Sequence, residues 1–261
     1  MNKIIVCIKQ TFDTEAKITL ENGKISDKGV KLITNPYDEF AVEEAIRIKE
    51  KTGAEVVLFC LGAQTAQEAM RYCLAMGADR GVHLNDEAFV NGDEKSSAYA
   101  LAKAIEAEGD YDLILCGQVA VDDGSCQVPQ RVAELLDLPQ VTIATKIEFD
   151  GEKAKVVREA DGGNEIWETQ LPCLISCQRG LNEPRYPSLP NIMKAKKKEI
   201  KAVTPADIDA DEEEIGANGK GTEILEYFLP PAREKGKIFE GEIEDCVKEL
   251  VKALKEEAKV I

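Results

Sequence analysis

Short apolar runs alternate with amphipathic stretches from residue 4 to residue 144, and this alternation constrains the fold more than any other feature of the chain. Ile4–Ile8, Val56–Leu61, Gly81–Leu84, Leu113–Cys116 and Val141–Ala144 each read as a strand. Between them lie helical patterns. Ala41, Val42, Ala45, Ile46 and Ile48 mark one apolar face closed by Gly53, and Ala66 to Met76 is closed by Gly77. Ser96–Ala107 and Pro129–Leu136 complete the set. The runs are apolar throughout rather than alternating, as strands are when helices cover both faces of a parallel sheet. The expected class is therefore α/β: an open, mostly parallel twisted sheet with helices on both faces. A small hairpin is expected aside from the sheet, with Lys17–Leu20 and Lys24–Ser26 joined by Glu21-Asn22-Gly23.

Past residue 150 the pattern changes. Lys153–Arg158, Ile166–Gln170 and Leu174–Cys177 read as successive strands of antiparallel character, with Gly162-Gly163 between the first two. A proline-rich stretch follows at Pro184, Pro187 and Pro190. Next come a basic run (Lys194, Lys196, Lys197, Lys198, Lys201) and an acidic run (Asp207, Asp209, Asp211, Glu212, Glu213, Glu214). Residues 200–240 carry few large apolar side chains, so an arm that packs on something else is expected there. Ile243, Val247, Leu250, Val251 and Leu254 fall at helical spacing and predict a closing helix. The expected organisation is a domain over 1–199 and an arm plus helix over 200–261.

Composition excludes several functions. The net charge is −16, from 33 Lys and Arg against 49 Asp and Glu, so nucleic acid and anionic membranes repel the chain. No apolar run approaches the roughly 18 residues of a membrane span, and Met1 to Lys9 is too short for a secretory signal. With no such signal, a cytoplasmic location is expected. Of the eight cysteines, Cys7, Cys60, Cys116, Cys173 and Cys177 sit in apolar runs, as reduced core thiols do. No metal-ligand spacing is present. The single histidine, His83, ends a strand and is expected to be partly exposed rather than catalytic.

In open α/β sheets, ligands sit beyond the carboxyl ends of the strands. The segment after Leu113–Cys116 runs Gly117, Gln118, Val119, Ala120, Val121, Asp122, Asp123, Gly124, Ser125, Cys126, Gln127, Val128, Pro129. With Pro129 at the first helical position, it is a long loop entering a helix N-terminus. Backbone N–H groups near Ser125 to Val128 then favour an anion, and Gly124 allows close approach. Asp122 and Asp123 repel phosphate, so they suit ribose hydroxyls or backbone caps. An ordinary capped turn explains the same residues. Asp38 is a reasonable N-cap for the first long helix after the Asn35-Pro36 turn, and Tyr37 there is placed to face a flat ring.

Two long segments resemble a known family: Arg158-Glu159-Ala160-Asp161-Gly162-Gly163-Asn164-Glu165, and the run from Gly180 through Leu181-Asn182-Glu183-Pro184-Arg185-Tyr186 to Lys198. Asn35-Pro36 followed by Ala41-Val42-Glu43-Glu44-Ala45, the Ala75–Gly81 segment and the Gly117–Gln127 loop agree. The chain resembles the β subunit of electron transfer flavoprotein from residue 3 to about 200, and more loosely after that. The resemblance implies an adenine-nucleotide-binding, Rossmann-like fold with a C-terminal extended arm and helix. It also implies an α-subunit partner whose FAD this chain helps to cover. It implies a nucleotide site in this chain at Cys7, Asn35, Pro36, Tyr37, Asp38, Leu61 and residues 117–128. That site holds AMP in one branch of the family. In the bifurcating branch it holds a second FAD, reduced by NADH. Lys9-Gln10 and Asp13-Thr14, with Phe12 where proline is usual, and Ser125-Cys126-Gln127-Val128-Pro129 resemble the bifurcating branch. The family also implies docking to a flavin-dependent, acyl-CoA dehydrogenase-like enzyme through Arg185, Tyr186, Leu189, Ile192, Met193 and Lys194. A stand-alone nucleotide-binding module shares the sheet but has no need of that proline-rich loop.

Overall fold

A computed structural model describes residues 1–26, 28–232 and 235–261. The strands are β1 (Lys3–Ile8), β2 (Gln10–Phe12), β3 (Thr19–Glu21), β4 (Lys24–Ser26), β5 (Leu32–Thr34), β6 (Glu55–Leu61), β7 (Arg80–Leu84), β8 (Leu113–Gly117), β9 (Gln140–Asp150), β10 (Lys153–Ala160), β11 (Gly163–Gln170), β12 (Cys173–Cys177) and β13 (Ile200–Val203). The helices are α1 (Pro36–Thr52), α2 (Gln67–Met76), α3 (Glu94–Glu108), α4 (Val128–Leu135), α5 (Leu189–Ala195), α6 (Gly216–Gly219) and α7 (Ile243–Ala253). The chain divides into two compact units, residues 1–18 with 26–225 and residues 19–25 with 226–261.

The first unit is built on one sheet of nine strands, ordered β11-β10-β9-β12-β8-β1-β6-β7-β13. From β9 to β13 every pairing is parallel, and β10 and β11 add an antiparallel edge. Side chains alternate between two cores, as the two-residue period of a strand requires. Ile4, Val6, Val56, Leu58, Leu113 and Leu115 enter a core with α1 and α2. Ile5, Val57, Phe59 and Ile114 enter the opposite one with α3 and α4. Both layers are fully desolvated, which explains the continuous apolar runs.

Strand order places the site. From β1 the chain steps outward through β6 to β7, then crosses back by α3 to β8 on the other side of β1. The winding therefore reverses between β1 and β8. Their carboxyl ends diverge there and leave a crevice. Cys7 and Cys116 are register partners at this point.

Three expectations are corrected. Cys173–Cys177 is not part of an antiparallel run: β12 inserts between β8 and β9 and is parallel to both. Residues 200–222 are not a free arm. β13 pairs with β7 from Ile200↔Gly81 to Val203↔Leu84 and closes the sheet edge, and the compact unit runs on to Leu225. The backbone needs no large side chains to supply a ladder, so low apolar content did not prevent this. His83 is fully buried in β7, where its Nε2 lies 3.1 Å from the Gly62 carbonyl. Burial lowers its pKa.

In the second unit, β3 and β4 form the expected hairpin, with Asn22 and Gly23 both at positive φ. Ile243, Val247, Leu250 and Val251 of α7 are all exposed. Among the described residues no helix is long and apolar enough to cross a membrane.

Candidate functional site at the strand-order reversal

Helix α1 begins at the crevice. Its N-cap is Asn35, with Pro36 in the first turn, so Asp38 lies inside the helix and is not the cap the sequence suggested. Asn35 turns to the loop after β8 and Asp38 to the chain leaving β1. Asn35 Nδ2 donates to the Val119 carbonyl at 2.9 Å, and Val121 N–H donates to Asn35 Oδ1 at 3.2 Å. Asp38 accepts from Lys9 N–H at 2.6 Å and from Asn35 Nδ2 at 2.9 Å. Asn35 and Asp38 are almost wholly buried. Gly117 is required by the close approach: a Cβ there would lie 2.2 Å from Asp38 Oδ1 and 2.8 Å from Asp38 N. Gln118 fixes the other side. Its Oε1 accepts from Ile143 N–H at 3.0 Å and from the Ser176 hydroxyl.

The result is a cleft of about 420 Å³. Cys7, Asn35, Asp38, Leu61, Gly117, Gln118, Val119, Ala120, Asp123, Ser125, Cys126, Gln127 and Val128 line it together. Pro36, Tyr37, Val121, Asp122 and Gly124 lie outside its lining. Tyr37 meets Phe40 edge to face, with centroids 6.5 Å apart. Gly124 has φ +67° and open space around it, so it serves a turn rather than a close approach.

The cleft carries more acid than base, and one cation sits among its acids. Lys9, its one lining cation among the described residues, pairs with Asp122 and Asp123 at 2.8 Å each. Burial opposes the Lys9 charge, but the two carboxylates outweigh it and its pKa rises. Burial likewise opposes the Asp123 charge, and Lys9 and the Ser125 N–H overcome it, so its pKa falls. Asp38 goes the other way: burial pushes it up to about 7 against its donors. The first turn of α4 has no side-chain cap, and its backbone donors face an anion-favouring dipole end. An apolar lining of Leu61, Leu101, Val128 and Ile224 accompanies these polar groups.

Sequence reading missed Lys9 as a site residue, together with Gly92, Asp93, Glu94, Ser97, Leu101, Thr222 and Ile224. Lys9 was findable by asking what offsets two adjacent aspartates. Thr222 and Ile224 carried no signal, being about a hundred residues distant from the loop they accompany.

The proline-rich loop lies elsewhere on α1. Arg185 is turned inward: Nε reaches Glu43 Oε2 at 2.8 Å and Nη1 reaches Glu50 Oε1 at 2.5 Å. Asn182 Nδ2 donates to the Phe40 carbonyl and to Glu44, at 3.0 Å each. Tyr186 is 91% exposed, Leu189 79% and Met193 61%, and Ile192 and Lys194 are exposed beside them. Lys198, a member of the basic run, donates to the carbonyls of Leu74 and Ala78 at the end of α2.

The reversal cleft and the parallel sheet define an open α/β protein with a ligand-sized site at its carboxyl edge. The Electron transfer flavoprotein domain family matches residues 22–208. The chain is similar to the electron transfer flavoprotein subunit beta of Bacillus subtilis, 46% identical over 258 residues and 99% of each chain. It is 49% identical to the subunit of the same name from Syntrophomonas wolfei over 259 residues, 99% of this chain and 98% of that one. It is 38% identical to the Caffeyl-CoA reductase-Etf complex subunit CarD of Acetobacterium woodii over 257 residues, 97% and 98% of the two chains. The chain belongs to the electron transfer flavoprotein family, among its β subunits.

Two outcomes follow from the geometry. Gly117→Ala collides with Asp38 and lowers stability by about 2 kcal/mol or more in urea unfolding, whereas Gly124→Ala costs about 1 kcal/mol, the strain of positive φ alone. Equal effects contradict the close approach. Asp38 binds its proton more tightly in the folded chain than in the unfolded one, so its contribution to stability falls as pH rises from about 4 to about 7. Asp38→Asn mimics the protonated acid. Stability relative to wild type therefore moves in favour of the variant between pH 4.5 and 8, by about 1.4 kcal/mol for each pH unit separating the two pKa values. A pH-independent difference contradicts this.

Proposed function

We propose that this chain is the β subunit of a heterodimeric electron transfer flavoprotein. With an α subunit it passes electrons between a flavin-dependent dehydrogenase of the acyl-CoA dehydrogenase kind and other redox partners. The observation that carries the reading is the cleft between β1 and β8, in a chain alike over nearly its full length to β subunits of that name. The exposed stripe of α7 supports a partner chain, since an amphipathic helix gains stability by burying its apolar face.

The cleft residues fit an adenine nucleotide. Backbone donors at Gln127 and Val128 suit the phosphate, Leu61 and Leu101 suit a flat ring, and Lys9 offsets part of the repulsion of Asp122 and Asp123. A flavin, when bound, supplies one- and two-electron transfer. Residues Lys9-Gln10 and Ser125 to Pro129 support FAD in this cleft, in addition to the FAD shared with the α subunit. This is the bifurcating reading, with NAD(H) as substrate. The relative whose name places it in a caffeyl-CoA reductase–Etf complex supports a partner enzyme that acts on CoA esters. The cleft's volume favours a second reading, structural AMP, because about 420 Å³ lies at the low end of ligand sites and suits one nucleotide better than two.

Nucleotide analysis of the purified heterodimer separates these. Two FAD per heterodimer, both bleached by NADH, support bifurcation. One FAD plus one AMP supports the carrier with structural AMP. A heterodimer with no nucleotide beyond one FAD contradicts both.

Tyr186, Leu189, Ile192 and Met193 form the proposed docking patch, flanked by Lys194. Pro187 and Pro190 stiffen the backbone around Leu189, so little entropy is lost on binding. Arg185 acts there through its hold on α1 rather than by contact with the partner. Leu189→Ala is expected to slow electron exchange with the dehydrogenase at least tenfold, with flavin content and melting temperature unchanged. Unchanged exchange contradicts the assignment.

A further inference from the structure

The cleft has a wall that comes from far along the chain. Thr222 and Ile224 line it, although the nucleotide site suggested by the sequence ends at residue 128. The segment leading to them is wedged in place. A Cβ on Gly216 would lie 2.1 Å from the Ala88 carbonyl oxygen, and one on Gly219 would lie 2.0 Å from that of Glu214. Asp93 then fixes the segment's far end. One carboxylate oxygen of Asp93 caps α3, accepting from Lys95 N–H at 3.0 Å and Ser96 N–H at 3.1 Å. The other accepts from Gly221 N–H at 2.7 Å, Thr222 N–H at 2.9 Å and the Thr222 hydroxyl at 2.9 Å. Ile224 follows two residues after this anchor and is 65% exposed, a large apolar side chain held at the cleft and left mostly uncovered among the described residues.

We propose that residues 221–224 complete the nucleotide site, with Ile224 as an apolar cover for a flat heteroaromatic ring of the ligand and Asp93 as the residue that positions it. The inference rests on the cleft being a nucleotide site. Its physical basis is economical: Asp93 already caps α3, so one carboxylate both starts the helix and ties down the wall. Five donors converge on it and hold the carboxylate ionised and fixed in place, its pKa lowered to about 2 by those hydrogen bonds against burial. Ile224 loses little entropy when a ring covers it, because its backbone is anchored two residues earlier.

The test uses the heterodimer, with AMP and FAD as probes in equilibrium dialysis and the melting temperature recorded for each variant. Ile224→Ala removes the cover. Asp93→Ser keeps a capping oxygen for α3 but is too short to hold residues 221 and 222. Gln127→Glu sets a negative charge at the start of α4 and tests the cleft itself. The expected result is a rise of about tenfold in Kd for the bound nucleotide with Asp93→Ser and with Ile224→Ala, the latter at unchanged melting temperature of the nucleotide-free heterodimer, and weakened binding with Gln127→Glu. If Gln127→Glu weakens binding while Ile224→Ala and Asp93→Ser bind as wild type, the wall is overturned and the cleft stands. If all three bind as wild type, the cleft reading falls and the wall with it. Should Asp93→Ser fail to fold, Ile224→Ala decides alone.

Discussion

The site depends on a clasp at the head of α1, where Asn35 and Asp38 hold the loop after β8 against the end of β1. Two parallel strands whose crossovers diverge leave a gap, and a long loop beside a gap does not stay open without something to fix it. Asn35 pairs with that loop through both faces of its amide, at Val119 and Val121. Asp38 ties the same helix end to Lys9 at the start of the turn after β1. Each bond contributes about 1 kcal/mol, but removing either side chain strands buried donors and acceptors, which costs more than the bond was worth. The glycine at 117 is the steric counterpart, since nothing larger fits between the loop and Asp38.

Charge is arranged around the same clasp. A chain of net charge −16 makes a poor home for a phosphate unless its acids are occupied. Lys9 offsets part of the charge of Asp122 and Asp123, backbone and hydroxyl donors fix Asp93 in place, and burial raises Asp38 to about 7. The uncapped first turn of α4 then sets the local field. Helix α1 also reaches the docking loop. Its head clasps the cleft, and farther along, Glu43, Glu44 and Glu50 hold Asn182 and Arg185. One rigid element therefore supports both the cleft and the proposed docking loop.

The parallel sheet was legible because its strands are buried on both faces and so lose their polar positions. Gly53 and Gly77 marked the ends of α1 and α2, and Asn22-Gly23 marked the hairpin. Most of the loop after β8 was legible too, from a proline at a helix start and an aspartate pair. What failed was everything set by distant pairing. The place of β12 between β8 and β9, and that of β13 beside β7, depend on backbone ladders that no side chain announces. His83 looked like a strand end because β13 was not foreseen beside it. Arg185 was expected at the docking surface and Lys198 only in a basic run, since a sequence does not show that the flank of α1 or the end of α2 lies within reach.

The central claim is that the gap between β1 and β8 is a nucleotide site. A crystal structure of the heterodimer as purified tests it most directly. The account predicts nucleotide density in that cleft, with phosphate oxygens within hydrogen-bond distance of the backbone N–H groups at residues 126–128 and a ring against Leu61 and Leu101. A heterodimer whose nucleotides all lie elsewhere, with water filling the space between Asn35 and Gln127, would contradict it.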